Sequence, residues 1–440
     1  MKQTGGDEIN AGELKVSTRR LVADSSWAVV EQGLFACGSV ATHLILARML
    51  EPSGYGLFAV GYAVILFVRT IYEAIATEPM TVFGPGRFAV VWPDYLKVIL
   101  FRVFVPLMAA FAAISALAGL ALWSFGEPTL AAITASLAIA TPSWLSFITV
   151  RRALYVVQRI RVASLLSAAY GTTVAIGLML VSLRVTISPA IGFLVISAGS
   201  IGVGAAGLAV LGVGRPSGEM TDKKLVRDVF VRHRSYGGWS ILAGLIRWIP
   251  ENIGIVLLPI THGADAAAAF RAAYNFILPA LQACSAFRAY LTPTFVKQRL
   301  GGQLGSAIST SLRLATVFGG LYVVVMLLTQ EFFYDWVYAG RYVEARKMLW
   351  ILGLMVWPAG GGAVATSGLQ SLERPDLVFR AYVVAVACGG PLIVLLTLIH
   401  GIHGSVLATV VCQWLIFAAL ALKLGMLRQG ERGANVRKNH

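Results

Sequence analysis

The sequence predicts an all-α integral membrane protein of about twelve transmembrane helices, arranged as two parallel six-helix lobes. Three observations predict it. Of the 440 residues, 57% are hydrophobic and only 13% are charged, against about 25% charged in a typical soluble domain. The apolar runs are continuous over the roughly 20 residues that a spanning helix needs, whereas a transmembrane strand alternates with period two over about ten. Landmarks of the first half also recur in the second at a fixed offset.

Candidate spans run near 25 to 47, 55 to 76, 98 to 122, 129 to 150, 163 to 183, 187 to 211, 238 to 260, 266 to 291, 309 to 328, 348 to 369, 377 to 399 and 404 to 424. The first two are separated by a short polar hinge, Ala47 to Ala59, which places that hinge at a membrane surface. Residues 1 to 24 are polar and lack a signal-peptide pattern, so the first span is expected to direct insertion. In span six, Gly202-Val203-Gly204-Ala205-Ala206-Gly207 matches GxGxxG without a preceding strand, and close helix packing explains it better than nucleotide binding. In span ten, Trp357 to Gly362 places Pro358 and Gly360 inside the helix, where a missing backbone donor and flexible glycines predict a gating kink.

The offset organises these spans. A shift of 212 residues superposes Trp27 on Trp239, Phe58 on Phe270 and Tyr62 on Tyr274. A shift of 215 superposes Leu154, Gln158 and Arg159 on Leu369, Glu373 and Arg374. Six spans per repeat is an even number, so the lobes are parallel and related by an axis along the membrane normal. The expected organisation is a cytoplasmic segment 1–24, a first lobe 25–211, a charge-rich cytoplasmic connector 212–237, a second lobe 238–424 and a basic cytoplasmic tail 425–440.

Lys and Arg set the orientation. The face opposite the termini carries only Arg48, Arg184, Arg341, Arg346 and Lys347, while most of the 36 basic residues lie on the side of the termini, which the positive-inside rule places in the cytoplasm. The net charge of +15 is therefore chiefly a topology signal facing anionic lipid headgroups. Its dispersal, with no binding module, argues against a nucleic-acid footprint. Cys37, Cys284, Cys388 and Cys412 all fall inside spans without ligand spacing, so neither a disulfide framework nor a metal site is expected.

At the hinge and at two later turns the chain resembles the polysaccharide (Wzx-type) flippases of the multidrug/oligosaccharidyl-lipid/polysaccharide (MOP) exporter superfamily, which also holds MATE drug exporters and lipid II flippases. The matching residues are Arg48, Leu50, Pro52, Tyr55 and Gly56 after span one, then Gly340, Tyr342, Ala345, Leu349 and Leu352 entering span ten, and Gly401 to Ser405 leading to Ala408. The resemblance implies a V-shaped pair of bundles around a central cavity and alternating access. It also implies transport of O-antigen or exopolysaccharide repeat units, as polyprenyl-diphosphate oligosaccharides, across the inner membrane, with polysaccharide polymerase and chain-length proteins as partners.

The intramembrane polar residues carry an independent argument, because such groups are costly in lipid and usually face a cavity or one another. Ser240, Arg247 and Glu251 share one face of span seven. Arg271, Asn275, Gln282 and Ser285 share one face of span eight. The first lobe offers Gln32, Ser39 and His43 beside Glu31, and Tyr62, Arg69 and Glu73. Guanidinium binds phosphate oxygens in pairs and stays charged, so Arg247, Arg271 and Arg69 suit a diphosphate. Asn275, Gln282, Tyr62 and Tyr274 suit sugars. Glu31, His43, Glu251 and Glu73 are candidates for H+ or Na+ coupling, and no other cofactor is expected. Arg48, Gly54, Tyr55 and Gly56 are expected to shape the hinge.

Plainer readings stand beside these. Arg69 with Glu73, and Arg247 with Glu251, are four apart and can neutralise each other without a ligand. Arg271 has no acid three or four positions away, so it needs a partner from another helix or a snorkelling path. No P-loop, HExxH or nucleophile elbow is present, which argues against an enzyme. A MATE-like cation antiporter would need a net acidic cavity, and four Arg or His against three Glu in the inner spans weigh against it.

Overall fold

In hydrocarbon every backbone N–H and C=O must be satisfied within its own segment, and continuous helix is the solution this chain adopts. The computed structural model describes residues 11–213 and 223–438. Residues 1–10 of the expected N-terminal segment, 214–222 of the expected connector and 439–440 of the tail lie outside it. The helices are α1 (Ala11–Met49), α2 (Pro52–Tyr72), α3 (Glu78–Phe83), α4 (Trp92–Val98), α5 (Val105–Ser124), α6 (Pro128–Val156), α7 (Ile160–Ser182), α8 (Pro189–Val210), α9 (Lys223–His262), α10 (Ala264–Asn275), α11 (Leu278–Leu300), α12 (Leu304–Phe332), α13 (Val343–Arg346), α14 (Leu349–Gly353), α15 (Val356–Ser371) and α16 (Pro375–Lys438).

Among the described residues ten helical stretches are long and apolar enough to cross a membrane, and one of them, Pro375–Leu427, holds two passes. There Gly401, at φ 57° and ψ −132°, breaks α16, and Gly389 lies against Cys412 on the returning half. The pair α10 and α11, interrupted at residues 276–277, supplies another pass, so twelve result. The expected connector 212–237 is helical from Lys223 onward and runs into span seven without a break.

Helices α1, α2 and α5 to α8 pack on one another, as do α9, α11, α12, α15 and α16. The offset of the sequence repeat reappears in backbone geometry. Helix α2 starts at Pro52 and α10 at Ala264. Gln158 and Glu373 both adopt left-handed φ, of 57° and 60°, and close equivalent turns, Arg159 N to Leu154 O and Arg374 N to Leu369 O. Within the GxGxxG of α8 only Gly207 packs closely, since a Cβ there would overlap Val150 of α6, while Gly202 has open space around it.

The two groups of helices meet along α2 against α9 and α10, and along α1 against α10 and α11. We call the side where α1 begins the terminal face and the side of residues 47–59 the hinge face. At the hinge face α2 and α10 touch backbone to backbone, because Gly56 has no side chain to hold them apart. At the terminal face α9 reaches α3 and α4. There Arg87 Nε donates to Asp228 Oδ2 at 2.9 Å and Arg232 Nε to Asp228 Oδ1 at 3.0 Å, which holds the Asp228 carboxyl below its ordinary range. His233 Nδ1 donates to the Ile75 carbonyl at 2.8 Å, so its Nε2 accepts from the Tyr95 hydroxyl at 2.9 Å.

Two expectations follow. In Gly56→Ala the new Cβ meets the Ala264 carbonyl, and overpacking of this kind costs about 1–3 kcal/mol; a lowered thermal midpoint in detergent checks it. Burial pushes His233 below its ordinary value of 6.5. The neutral ring's contribution is therefore complete above pH 6.5 and is lost as pH falls through the depressed value. Amide-exchange protection in 223–237, referred to the intrinsic rate at each pH, is expected to fall between pH 7.5 and 5, and to lose that pH response in His233→Gln.

Candidate functional site

The four helices that the repeat relates, α1, α2, α9 and the α10–α11 pair, enclose a cavity of about 410 Å³. It runs from Arg271, Tyr274 and Tyr62 at its closed end to Glu78 and Ser240 near the terminal face. Of the expected substrate residues, Arg69, Arg247, Arg271, Tyr62, Tyr274 and Gln282 line it, as do Glu73 and Glu251. Phe35, Trp248, Asn252 and Glu78 complete the wall without having been singled out by sequence.

Glu78 has a local cause. Residues Glu73–Thr77 form a single π-turn at the end of α2, and its wider winding carries residue i+5 back to the face of residue i. An α-helix would have turned Glu78 well away from Glu73. With Glu78 the lining holds three Arg and three Glu, a formal balance rather than the cationic excess the inner spans suggested.

The charges are unequal in their partners. Arg69 Nε donates to Glu73 Oε1 at 2.9 Å, the pairing four residues apart that needs no ligand, and Arg152 stands 3.9 Å from the same oxygen. The Arg69 guanidinium also lies 5.6 Å from the Trp144 ring centroid. Arg247 and Glu251 are both exposed to the cavity. Among the described residues neither forms an ion pair or hydrogen bond, although Glu251 sits in the field of Arg247, Arg69 and Arg288.

At the closed end Arg271 finds its partner on another helix: Nη2 donates to His43 Nε2 at 2.9 Å. The Tyr62 ring lies beneath both, 5.5 Å from the Arg271 guanidinium and 4.6 Å from the imidazole. Beyond them the hinge face is sealed. Asn275 Nδ2 donates to the Tyr55 hydroxyl at 2.8 Å and to the Tyr338 hydroxyl at 3.3 Å, and Tyr338 donates to the Ala272 carbonyl at 3.0 Å. Arg48 Nη1 donates to the Trp336 carbonyl at 2.8 Å, while Arg341 reaches back to the Arg48 carbonyl at 3.2 Å and to that of Leu50. Tyr342 donates to the Ala47 carbonyl at 3.3 Å, and burial holds its hydroxyl above its ordinary range.

Several sequence expectations are corrected by this geometry. Asn275 faces the hinge seal rather than the cavity, because adjacent helical positions diverge by about 100° and Tyr274 takes the inward direction. His43 does not line the main cavity; it borders a second one of about 10 Å³ inside the first lobe. Glu31 is fully buried between α1, α6 and α7, where Arg151 pairs with it at 2.6 Å, Tyr155 donates at 2.5 Å and Ser167 donates as well. Gly54 makes ordinary contacts only. The break in span ten lies at residues 354–355, before Pro358, and α15 is continuous from Val356. Pro358 stands in its first turn, where a missing N–H costs nothing, and Gly360 gives close approach to Ala315.

No protein-family model and no curated relative matches this chain. Solved structures do. An inward-facing multidrug resistance MATE family transporter of the MOP superfamily has a TM-score of 0.74 at 12% identity, over 91% of this chain and 99% of that one. The lipid II flippase MurJ in an inward closed conformation has 0.67 at 13%, over 92% and 87%. A MOP superfamily transporter from Pyrococcus furiosus Vc1 (DSM3638), described as having a binding pocket of reverse polarity, has 0.63 at 12%, over 93% and 96%. The likeness is one of fold: this is a multi-pass membrane protein built like the transporters and flippases of that superfamily.

The Glu31 cluster gives a prediction. Glu31→Gln strands Arg151 in the lobe interior, and breaking one side of a buried pair costs about 3–5 kcal/mol. A large drop in thermal midpoint is expected, partly recovered in Glu31→Gln/Arg151→Met.

Proposed function

We propose that this protein is a flippase that moves polyprenyl-diphosphate-linked oligosaccharide repeat units from the cytoplasmic to the outer leaflet of the inner membrane by alternating access. The fold supports a transporter with two lobes that can rock about their shared seam. The observation that carries the substrate class is the pair of arginines, Arg247 and Arg271, which line the cavity with no carboxylate partner among the described residues.

A guanidinium held by an imidazole and the Tyr55 hydroxyl, and another with no hydrogen bond or ion pair among the described residues, are available to two phosphates. The surrounding low dielectric strengthens such contacts. Trp248, Tyr62 and Tyr274 offer ring faces to sugars, and Gln282, Asn252 and Ser285 offer hydrogen bonds. About 410 Å³ is within the range of sites for compact ligands. It accommodates a diphosphate with its first sugars, and the rest of the glycan projects through the open mouth. With the termini cytoplasmic, as the distribution of Lys and Arg indicates, the arrangement is the loading state: open to the cytoplasm, sealed by Arg48, Arg341 and Asn275 on the outer side. No ATP-binding motif occurs in the sequence, so an H+ or Na+ gradient, the membrane potential or the substrate gradient drives the cycle.

A second reading, ion-coupled antiport of cationic drugs, is favoured by Glu78 and Glu251, which bring the lining to formal neutrality. Glu251 would then be the group that holds the cation.

Reconstitution in liposomes separates them. Translocation of a polyprenyl-diphosphate oligosaccharide is expected from the unaltered protein, with a drop of about tenfold or more in Arg271→Ala and in Arg247→Ala, since each loses a charge-assisted hydrogen bond worth about 1.5–3 kcal/mol. No translocation, together with proton-coupled efflux of cationic dyes that is lost in Glu251→Gln, overturns the flippase reading.

A further inference from the structure

We propose that His43 is a proton-binding site and that, in its neutral form, it latches the hinge face shut through Arg271, so that a proton on His43 releases the closure. The proposal rests on the alternating-access reading above and names the ion that works it.

The bond from Arg271 Nη2 to His43 Nε2, 2.9 Å long, joins α10 to α1 and therefore one lobe to the other, with both residues buried. Guanidinium has five N–H donors, no acceptor, and stays charged at every relevant pH. The bond therefore exists only while His43 Nε2 carries a lone pair and the ring proton sits on Nδ1. A second proton must go to Nε2. That places an N–H against an N–H and a cation against a cation where little solvent screens them.

No carboxylate offsets the clash. The charged and titratable groups facing the pair are Tyr62 and Tyr55 from α2, Tyr170 from α7, and Tyr274 and Arg271 itself from α10. Glu251 acts on the neighbouring Tyr274 but makes no contact with the pair. Glu73 is taken by Arg69. The Tyr55 hydroxyl meets Arg271 from α2, while His43 Nδ1 and Arg271 Nε are both buried without a hydrogen-bond partner.

The proton has a route. The second cavity beside the imidazole has a volume of about 10 Å³, near the minimum for one water, and shares Phe35, Ser39 and Tyr62 with the main cavity. An anion that draws Arg271 toward the cavity also frees Nε2. Anion and proton therefore favour each other's binding, and by linkage the effect is reciprocal.

The test measures the hinge face directly. Nitroxide labels at Ser53→Cys and Glu331→Cys, on either side of the seam and with the native cysteines replaced by alanine, report its opening in proteoliposomes between pH 8 and 5. The open population is expected to rise with acid, by up to about tenfold per pH unit for one linked proton. His43→Gln keeps an acceptor for Arg271 but no titratable nitrogen, and Arg271→Gln removes the clash; both are expected to lose the response, while His233→Gln keeps it. No response in the otherwise unaltered protein, or an undiminished one in both His43→Gln and Arg271→Gln, overturns the latch. A face that stays shut in every variant, Arg341→Ala included, overturns the alternating-access reading and the latch with it.

Discussion

A polar group in hydrocarbon must be partnered, and this constraint organises the protein from its backbone to its cavity. It makes the chain helical. It also sorts the intramembrane charges by what each helix offers. Glu31 is closed in by Arg151, Tyr155 and Ser167 inside one lobe. Arg69 is satisfied by Glu73 on its own helix. Arg271 is held by His43 across the seam, with its Nε left unpartnered. Arg247 and Glu251 have no direct partner among the described residues and are tolerated because they face an open cavity. The free groups thus mark where a ligand can replace the missing partner.

The two ends of the seam are tied by different chemistry. At the hinge face the acceptors that hold Arg48, Arg341 and Tyr342 are main-chain carbonyls, which do not titrate. Backbone contact at Gly56 adds a steric fit that any side chain would spoil. At the terminal face the ties are side chains: Arg87 with Asp228, and Tyr95 with His233. A carbonyl clamp is set by fold alone, whereas side-chain ties respond to pH and salt. The His43–Arg271 bond stands between these types, a titratable contact placed just inside a closure that otherwise does not titrate.

Much of the architecture was legible because it depends on length and periodicity. Continuous apolar runs report spans, and an offset repeat reports symmetry, even to the left-handed Gln158 and Glu373 that close equivalent turns. What the periodicity argument missed has local causes. A π-turn at Glu73–Thr77 changes the helical phase, so Glu78 joins a wall from which a 3.6-residue period excludes it. Asn275 stands about 100° round α10 from Tyr274, so with Tyr274 turned to the cavity it faces the seal. The π-turn leaves no composition signal.

From the sequence alone come the membrane class, the pass count, the repeat, and the polar residues that lipid would reject, because each depends on residue type and spacing along one chain. The tertiary structure decided which of those residues meet. The Arg151–Glu31 pair spans 120 positions and the Arg271–His43 bond 228, and no helical period encodes separations of that size. Packing alone determined that Glu31 is locked away, that Arg271 and His43 face each other, and that Arg247 is left open to the cavity.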